Sequence, residues 1–207
     1  MMNTGLTLVS VRTARILAAG YFTAKIKLWS LPEGQLLCTF NADAGINALA
    51  ITPDAKILIG GSLGPIELWS LPTDKALTKF AGPQFPVNAL IVTRDGHGLV
   101  SASESEPLIR IWSLPKGNLL GKLEGHTDGV NALAITSDGK VLASGSKDKA
   151  IRLWTLPEGN KIGVLEGHRA DICTLAISSD GKFLVAGDES GVINLWDLEK
   201  RVLLGTL

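Results

Sequence analysis

The chain has 207 residues, with 20 basic and 20 acidic side chains and a formal net charge of zero. That balance argues against a broad electrostatic footprint for nucleic acid or for an acidic membrane surface. No unbroken apolar stretch is long enough to span a bilayer as a helix, and Arg12 and Arg15 interrupt the run that a secretory signal needs.

In chain order, LTLVSVRTARILAAG (6–20) supplies two short apolar runs, and IKLWSLPEG (26–34) adds a third that ends on Trp29. The pair returns as INALAITPDAK (46–56) with IELWSLPTD (66–74), then as VNALIVTRDGH (87–97) with IRIWSLPKG (109–117). It returns again as VNALAITSDGK (130–140) with IRLWTLPEG (151–159), and finally as ICTLAISSDGK (172–182) with INLWDLEKR (193–201). The five tryptophans, Trp29, Trp69, Trp112, Trp154 and Trp196, are separated by 40, 43, 42 and 42 residues. Self-similarity at such a period is the signature of a repeat architecture.

One unit shows what each repeat builds. VNALAIT (130–136), VLASGS (141–146), AIRLWTL (150–156) and KIGVLE (161–166) are separated by Ser-Asp-Gly-Lys, Lys-Asp-Lys and Pro-Glu-Gly. Runs of that length between Asp-Gly and Pro-x-Gly turns predict a four-stranded meander. Ala132, Leu133, Ala134 and Ile135 are consecutive apolar residues, so the sheet is expected to be covered on both faces. Stacking such sheets on copies of themselves, radially, gives a β-propeller. The boundaries expected for the five units are 1–42, 43–82, 83–124, 125–166 and 167–207, in one all-β domain of residues 1–207.

The Gly-His opening, the Asp-Gly turn, the Ser-Gly-Ser strand, the hairpin Asp and the LWSLPEG-type strand end resemble the WD40 repeat over essentially the whole chain. The resemblance implies a structural tetrad of His126, Ser144, Asp148 and Trp154 in the fourth blade, with Trp29, Trp69, Trp112 and Trp196 as the corresponding repeat tryptophans. Blade five keeps His168 and Trp196 but has Ala186 and Ser190 where Ser144 and Asp148 stand, while Pro83 and Ala42 take the histidine place in blades three and two. Five units fill the chain. A ring closed at about 72° per blade, an open arc, and an arc completed by a second chain or a longer parent chain all remain open readings.

Motifs of catalysis are weak. Gly60-Gly61-Ser62-Leu63-Gly64 matches G-x-S-x-G by letter, but it joins two strands where that motif needs a strand-to-helix turn. Gly117 to Lys122 is one residue short of a phosphate loop. His97, His126 and His168 show no metal-ligand spacing with one another or with Cys38 and Cys173. The two cysteines read as small buried apolar residues and not as a disulfide framework, which fits a reducing, cytoplasmic setting. Asn47, Asn88 and Asn131 share one position of the innermost strand, where a backbone or water hydrogen bond is the simplest role. No catalytic group, metal site or cofactor is therefore expected.

The resemblance implies a scaffold that binds a protein or peptide on the face carrying the Gly-His and second hairpin loops. On those loops stand Tyr21, Phe22, Phe85, Asp128, Lys147, Arg169 and Glu189, aromatic anchors with a mixed-charge rim. The ubiquitin-ligase adaptor signature W-D-x-R is not met, since Glu199 follows Trp196-Asp197-Leu198. The alternative is an assembly module that completes a larger propeller by self-association or within a longer chain; a propeller hydrolase is the third reading. Neither nucleic acid nor membrane is expected as a partner.

Overall fold

The computed structural model describes residues 6–11, 15–71, 73 and 75–207. They form twenty β-strands and, among the described residues, no helix. The first sheet holds β1 (Leu6–Val11), β2 (Ile16–Tyr21), β3 (Lys25–Ser30) and β4 (Leu36–Asn41). The second holds β5 (Ala48–Ile51), β6 (Ile57–Gly61), β7 (Ile66–Ser70) and β8 (Ala76–Phe80). The third holds β9 (Ala89–Val92), β10 (Gly98–Ser103), β11 (Glu106–Ser113) and β12 (Leu119–Leu123). The fourth holds β13 (Val130–Ile135), β14 (Val141–Ser146), β15 (Ile151–Thr155) and β16 (Lys161–Leu165). The fifth holds β17 (Ile172–Ile177), β18 (Phe183–Asp188), β19 (Ile193–Asp197) and β20 (Val202–Thr206). Within every sheet, spatial order follows chain order, the antiparallel blade plan of a β-propeller. By internal packing the chain divides into two compact units, one running to Leu99 with Trp112–Asn118 and the other made of Val100–Ile111 with Leu119–Leu207.

Two local devices recur. In the turn between first and second strands, the hydroxyls of Thr52, Thr93, Thr136 and Ser178 each donate to the carboxylate two residues on, at 2.6 Å. That carboxylate accepts the N–H of Lys56, His97, Lys140 or Lys182, and the hydroxyl in turn accepts the N–H of Ile57, Gly98, Val141 or Phe183. The hydroxyl bond holds Asp54, Asp95, Asp138 and Asp180 below the usual carboxylate range. The turn needs a left-handed residue, supplied by Gly96, Gly139 and Gly181 but by Ala55 in the second sheet, at φ +55°. The second device is a register shift between third and fourth strands directly before Trp29, Trp69, Trp154 and Trp196.

Packing follows from sheets stacked face to face. In the first unit, Ala18, Ile26, Leu28 and Phe40 of sheet one meet Ile46, Leu49, Leu58 and Trp69 of sheet two. The other face of sheet two, with Ala48, Ala50, Ile59, Ile66 and Leu68, meets Val87, Leu99 and Trp112. In the second unit, Ala143, Ile151, Leu153 and Leu165 of sheet four meet Ile172, Leu184 and Trp196 of sheet five. Each such core therefore joins two chemically different faces. One carries a tryptophan, and the other carries small and branched aliphatics, joined in the first unit by Phe40 or Phe80. The rings of Phe40 and Trp69 stand 5.9 Å apart, and those of Phe80 and Trp112 stand 5.5 Å apart.

The cysteines correct the sequence reading. Cys38 is half-buried and Cys173 exposed, neither in a disulfide. Cys173 occupies the place of Asn131, whose amide nitrogen donates to Ile172 O of the following sheet at 2.9 Å. In sheet four a side chain at this position is bonded to the sheet that follows it.

Candidate functional site

The fourth sheet brings His126, Ser144, Asp148 and Trp154 together. His126 Nδ1 lies 2.9 Å from the Asp148 carboxylate, His126 Nε2 lies 2.7 Å from Ser144 Oγ, and the Trp154 indole N–H donates to Ser144 Oγ at 2.9 Å. The amide of Thr127 and the guanidinium of Arg152 also donate to Asp148, at 3.0 and 2.6 Å. Burial lowers His126 below the ordinary imidazole range, even though Asp148 pulls it upward. Burial works to raise the Asp148 carboxyl, but the His126 ring and the Thr127 and Ala150 amides hold it below its ordinary value. With both ring nitrogens engaged and the ring buried, His126 has no free position for proton transfer to a substrate. The network locks the hairpin before β15 to the loop before β13.

Blade five differs from its sequence reading. The carboxylate is not lost with Ser190; it is supplied by Asp188, two residues earlier. His168 Nδ1 lies 2.7 Å from Asp188, whose other oxygen accepts the N–H groups of Ser190 and Val192 and the Ser190 hydroxyl. The Ser190 hydroxyl and the His168 ring hold Asp188 down to about 2. Asp188 pairs across the sheet with Ile172, so its side chain reaches the ring from the end of β18 instead of from the hairpin tip. Blade three carries a further version: Glu106 and Arg110 form an ion pair four residues apart, as Asp148 and Arg152 do.

The residues expected on the loop face separate by unit. In the first unit, Phe22 is 52% and Phe85 is 41% exposed. Tyr21 closes β2 half-buried, with the Lys27 ammonium 6.0 Å from its ring, and its carbonyl accepts the N–H groups of Ala24 and Ile46. Sequence reasoning missed Leu63, which is 63% exposed at the hairpin tip between β6 and β7. Its only signal was a large apolar residue set between Ser62 and Gly64. The Leu63 and Phe85 loops adjoin, since Val87 N–H donates to Ser62 O and a methyl on Gly82 would stand 2.6 Å from Gly64 O. The segment before β5 links the Phe22 loop to the second sheet, with Ile46 N–H donating to Tyr21 O and Asn47 N–H to Gly61 O. In the second unit the corresponding loops carry Asp128, Arg169 and Glu189, all exposed, and Lys147, half-buried and 3.8 Å from Glu104.

Ser62 is 2% exposed, so its hydroxyl is closed to a substrate. The oxygen of the Asn47 amide is buried without a hydrogen-bond partner. A cleft of about 350 Å³ in the second unit is lined by Thr136, Asp138, Asp180, Leu198, Glu199 and Arg201. These belong to the Asp-Gly and third-to-fourth-strand turns, the end of the sheets opposite the loop face.

Residues 117–155 and 159–197 match the WD40 family, described as WD domain, G-beta repeat. The chain is also similar to Autophagy-related protein 16 of Arabidopsis thaliana, at 26% identity over 95 residues. That match covers 45% of this chain and 19% of the relative, so the chain spans a minor part of that protein's length. Two repeats thus match the WD40 family, and all five sheets share the strand plan of the matched repeats, that of a β-propeller.

Proposed function

We propose that the chain is a non-catalytic scaffold that holds a protein or peptide on the loop face, with Phe22, Leu63 and Phe85 as its anchors. The observation that carries this reading is the exposure of all three side chains on successive loops at one end of the sheets of one unit, at 52, 63 and 41%. Isolated surface apolar residues need no explanation, but neighbouring large ones mark an interaction patch. Aromatic anchors ringed by charge are the usual composition of an interface centre and rim. The general role of WD40 domains in binding proteins supports the reading.

Alanine at Phe22, Leu63 and Phe85, alone and combined, is expected to abolish capture of a partner identified by mass spectrometry. The melting temperature should stay within about 2 °C, because exposed side chains contribute little to the core. Alanine at Glu33 and Glu158, both exposed on the opposite turns, should leave capture intact. Equal losses from both sets would reject the loop face as the binding surface.

A further inference from the structure

At the end opposite the loop face, the Asp-Gly turns of two stacked sheets and the third-to-fourth-strand turn of the second sheet enclose a cleft. The cleft of about 350 Å³ between sheets four and five lies wholly in the second unit. A cleft of about 520 Å³ between sheets two and three is lined only by residues of the first unit. Their walls match: Val141 and Leu198 of the one stand where Ile57 and Leu114 of the other do.

The rims differ in charge. In the first unit Asp54 and Asp95 are accompanied by Arg94 and His97, and the Lys56 ammonium lies 3.5 Å from Asp54. In the second unit Asp138, Asp180 and Glu199 share the rim with one guanidinium, that of Arg201. Ser179 stands where Arg94 does, and Glu199 where Pro115 does. The Arg201 stem packs toward the outer strand of sheet four, since a methyl on Gly163 would stand 3.2 Å from its Cδ. Lys200 is engaged by Asp197 at 3.5 Å, and among the described residues Glu199 has no ion-pair partner. Asp138 and Asp180 each use one oxygen to accept the turn hydroxyl and the turn N–H. Among the described residues, the second oxygen of each accepts no hydrogen bond.

We propose that the cleft between sheets four and five takes an arginine side chain of a partner polypeptide. Its aliphatic stem lies against Val141, Leu153 and Leu198, and its guanidinium sits among Asp138, Asp180 and Glu199. Charge complementarity selects this occupant: an apolar floor is rimmed by three carboxylates with open acceptor oxygens. Arginine joins a long apolar stem to a planar head with five donors and no acceptor. An apolar side chain would leave the carboxylates unmatched, and an anionic one would be repelled. The site stands apart from the loop face and does not rest on the reading given for it. The cleft of the first unit, where Arg94 already supplies a guanidinium, is an internal control.

Nuclear magnetic resonance of the whole chain, titrated with N-acetyl-arginine N-methylamide, tests the proposal. The amide signals of Gly139 and Gly181 are expected to shift saturably, and that of Gly96 should not follow them. The citrulline analogue, equal in shape but neutral, should shift none of the three. Glu199→Gln should weaken binding about threefold, the scale of one exposed ion pair, and about 0.5 M salt should weaken it further. Ser179→Arg, which copies the rim of the other cleft, should abolish it. Both substitutions are at exposed turn positions, and unchanged dispersion of the remaining signals shows that the fold is kept. Absence of a saturable shift overturns the proposal, as does an equal response to the citrulline analogue or an equal response at Gly96. Binding that survives Ser179→Arg also overturns it. Shifts of Gly139 and Gly181 on concentrating the protein alone would assign the cleft to a second copy of the chain and overturn it likewise.

Discussion

His168 and Ala186 lie in one buried site, and the methyl of Ala186 takes the place that the Ser144 hydroxyl takes beside His126. The Nε2 of His168 is consequently buried without a hydrogen-bond partner, whereas the Nε2 of His126 lies 2.7 Å from Ser144 Oγ. Ala186 and Ser144 are both 0% exposed, so at this position the two sites differ by one hydroxyl oxygen. Ala186→Ser is expected to stabilise the protein by about 1 kcal/mol, the usual net contribution of a hydrogen bond to a previously orphaned group. Ala186→Val should instead destabilise it by about 1–3 kcal/mol through overpacking. Urea unfolding of the two variants checks the pair, and a Ser variant as unstable as the Val variant refutes the account.

The shifted carboxylate of blade five makes a second comparison. Asp148→Ala and Asp188→Ala should each cost about 3 kcal/mol, since each strands a buried imidazole and several amide donors. Ser190→Ala removes one hydroxyl bond to Asp188, at 2.6 Å, and should cost about 1 kcal/mol. Trp154→Ala, which empties a large buried site, should cost about 3–5 kcal/mol. Denaturant midpoints followed by circular dichroism give the ranking Trp154→Ala, then the two aspartates, then Ser190→Ala. A Ser190→Ala loss equal to that of Asp188→Ala would return the carboxylate's role to the hairpin tip.

Acid should weaken the fold in two steps. His126 has a folded pKa below its ordinary 6.5, so the unfolded chain binds the proton more readily. The stability tied to its neutral form is complete above 6.5 and falls as pH drops from there toward the folded value. Asp188 is lowered from 3.8 to about 2, so its contribution is present above 3.8 and is lost as pH falls through about 2. Melting temperature recorded from pH 8 to pH 2 should decline in both windows. Asp188→Asn should shrink the lower decline, to which Asp54, Asp95, Asp138, Asp148 and Asp180 also contribute, and leave the upper one in place.

Ala55 at φ +55° does in the second sheet what Gly96, Gly139 and Gly181 do in the third, fourth and fifth. A side chain in the left-handed region carries a conformational cost that glycine avoids. Ala55→Gly is expected to raise stability by about 0.5–1 kcal/mol, after the greater entropy of glycine in the unfolded chain is subtracted. Thermal unfolding monitored by tryptophan fluorescence measures it. A lower melting temperature would show that Ala55 packing outweighs the strain.

The repeat was open to reading because its tryptophans and its Thr/Ser-x-Asp turns are local in sequence and are separated by nearly constant intervals. Two or three residues suffice to specify each turn, so the strand plan follows from the letters alone. The tetrad partners of His126 came from the resemblance to the WD40 repeat, since they stand 18 and 22 residues away and no local pattern joins them. Asp188 was not legible, because a carboxylate two residues from the expected place reaches the same ring only through the pairing of β17 with β18. The surroundings of Cys173 and Leu63 depend on whether a neighbouring sheet or loop lies over them. That is a tertiary fact, and neither residue's own segment states it.

Since strand order equals chain order in all five sheets, no ladder draws on residues from two different repeats. A break or an insertion in the loops at Ala42–Gly45 or Glu166–Arg169 therefore severs no hydrogen-bond ladder. Duplication or deletion of one repeat exchanges like for like, since each added sheet brings both kinds of face. Such a chain can gain or lose whole modules, and a change of repeat number alters its length without inventing a new interface.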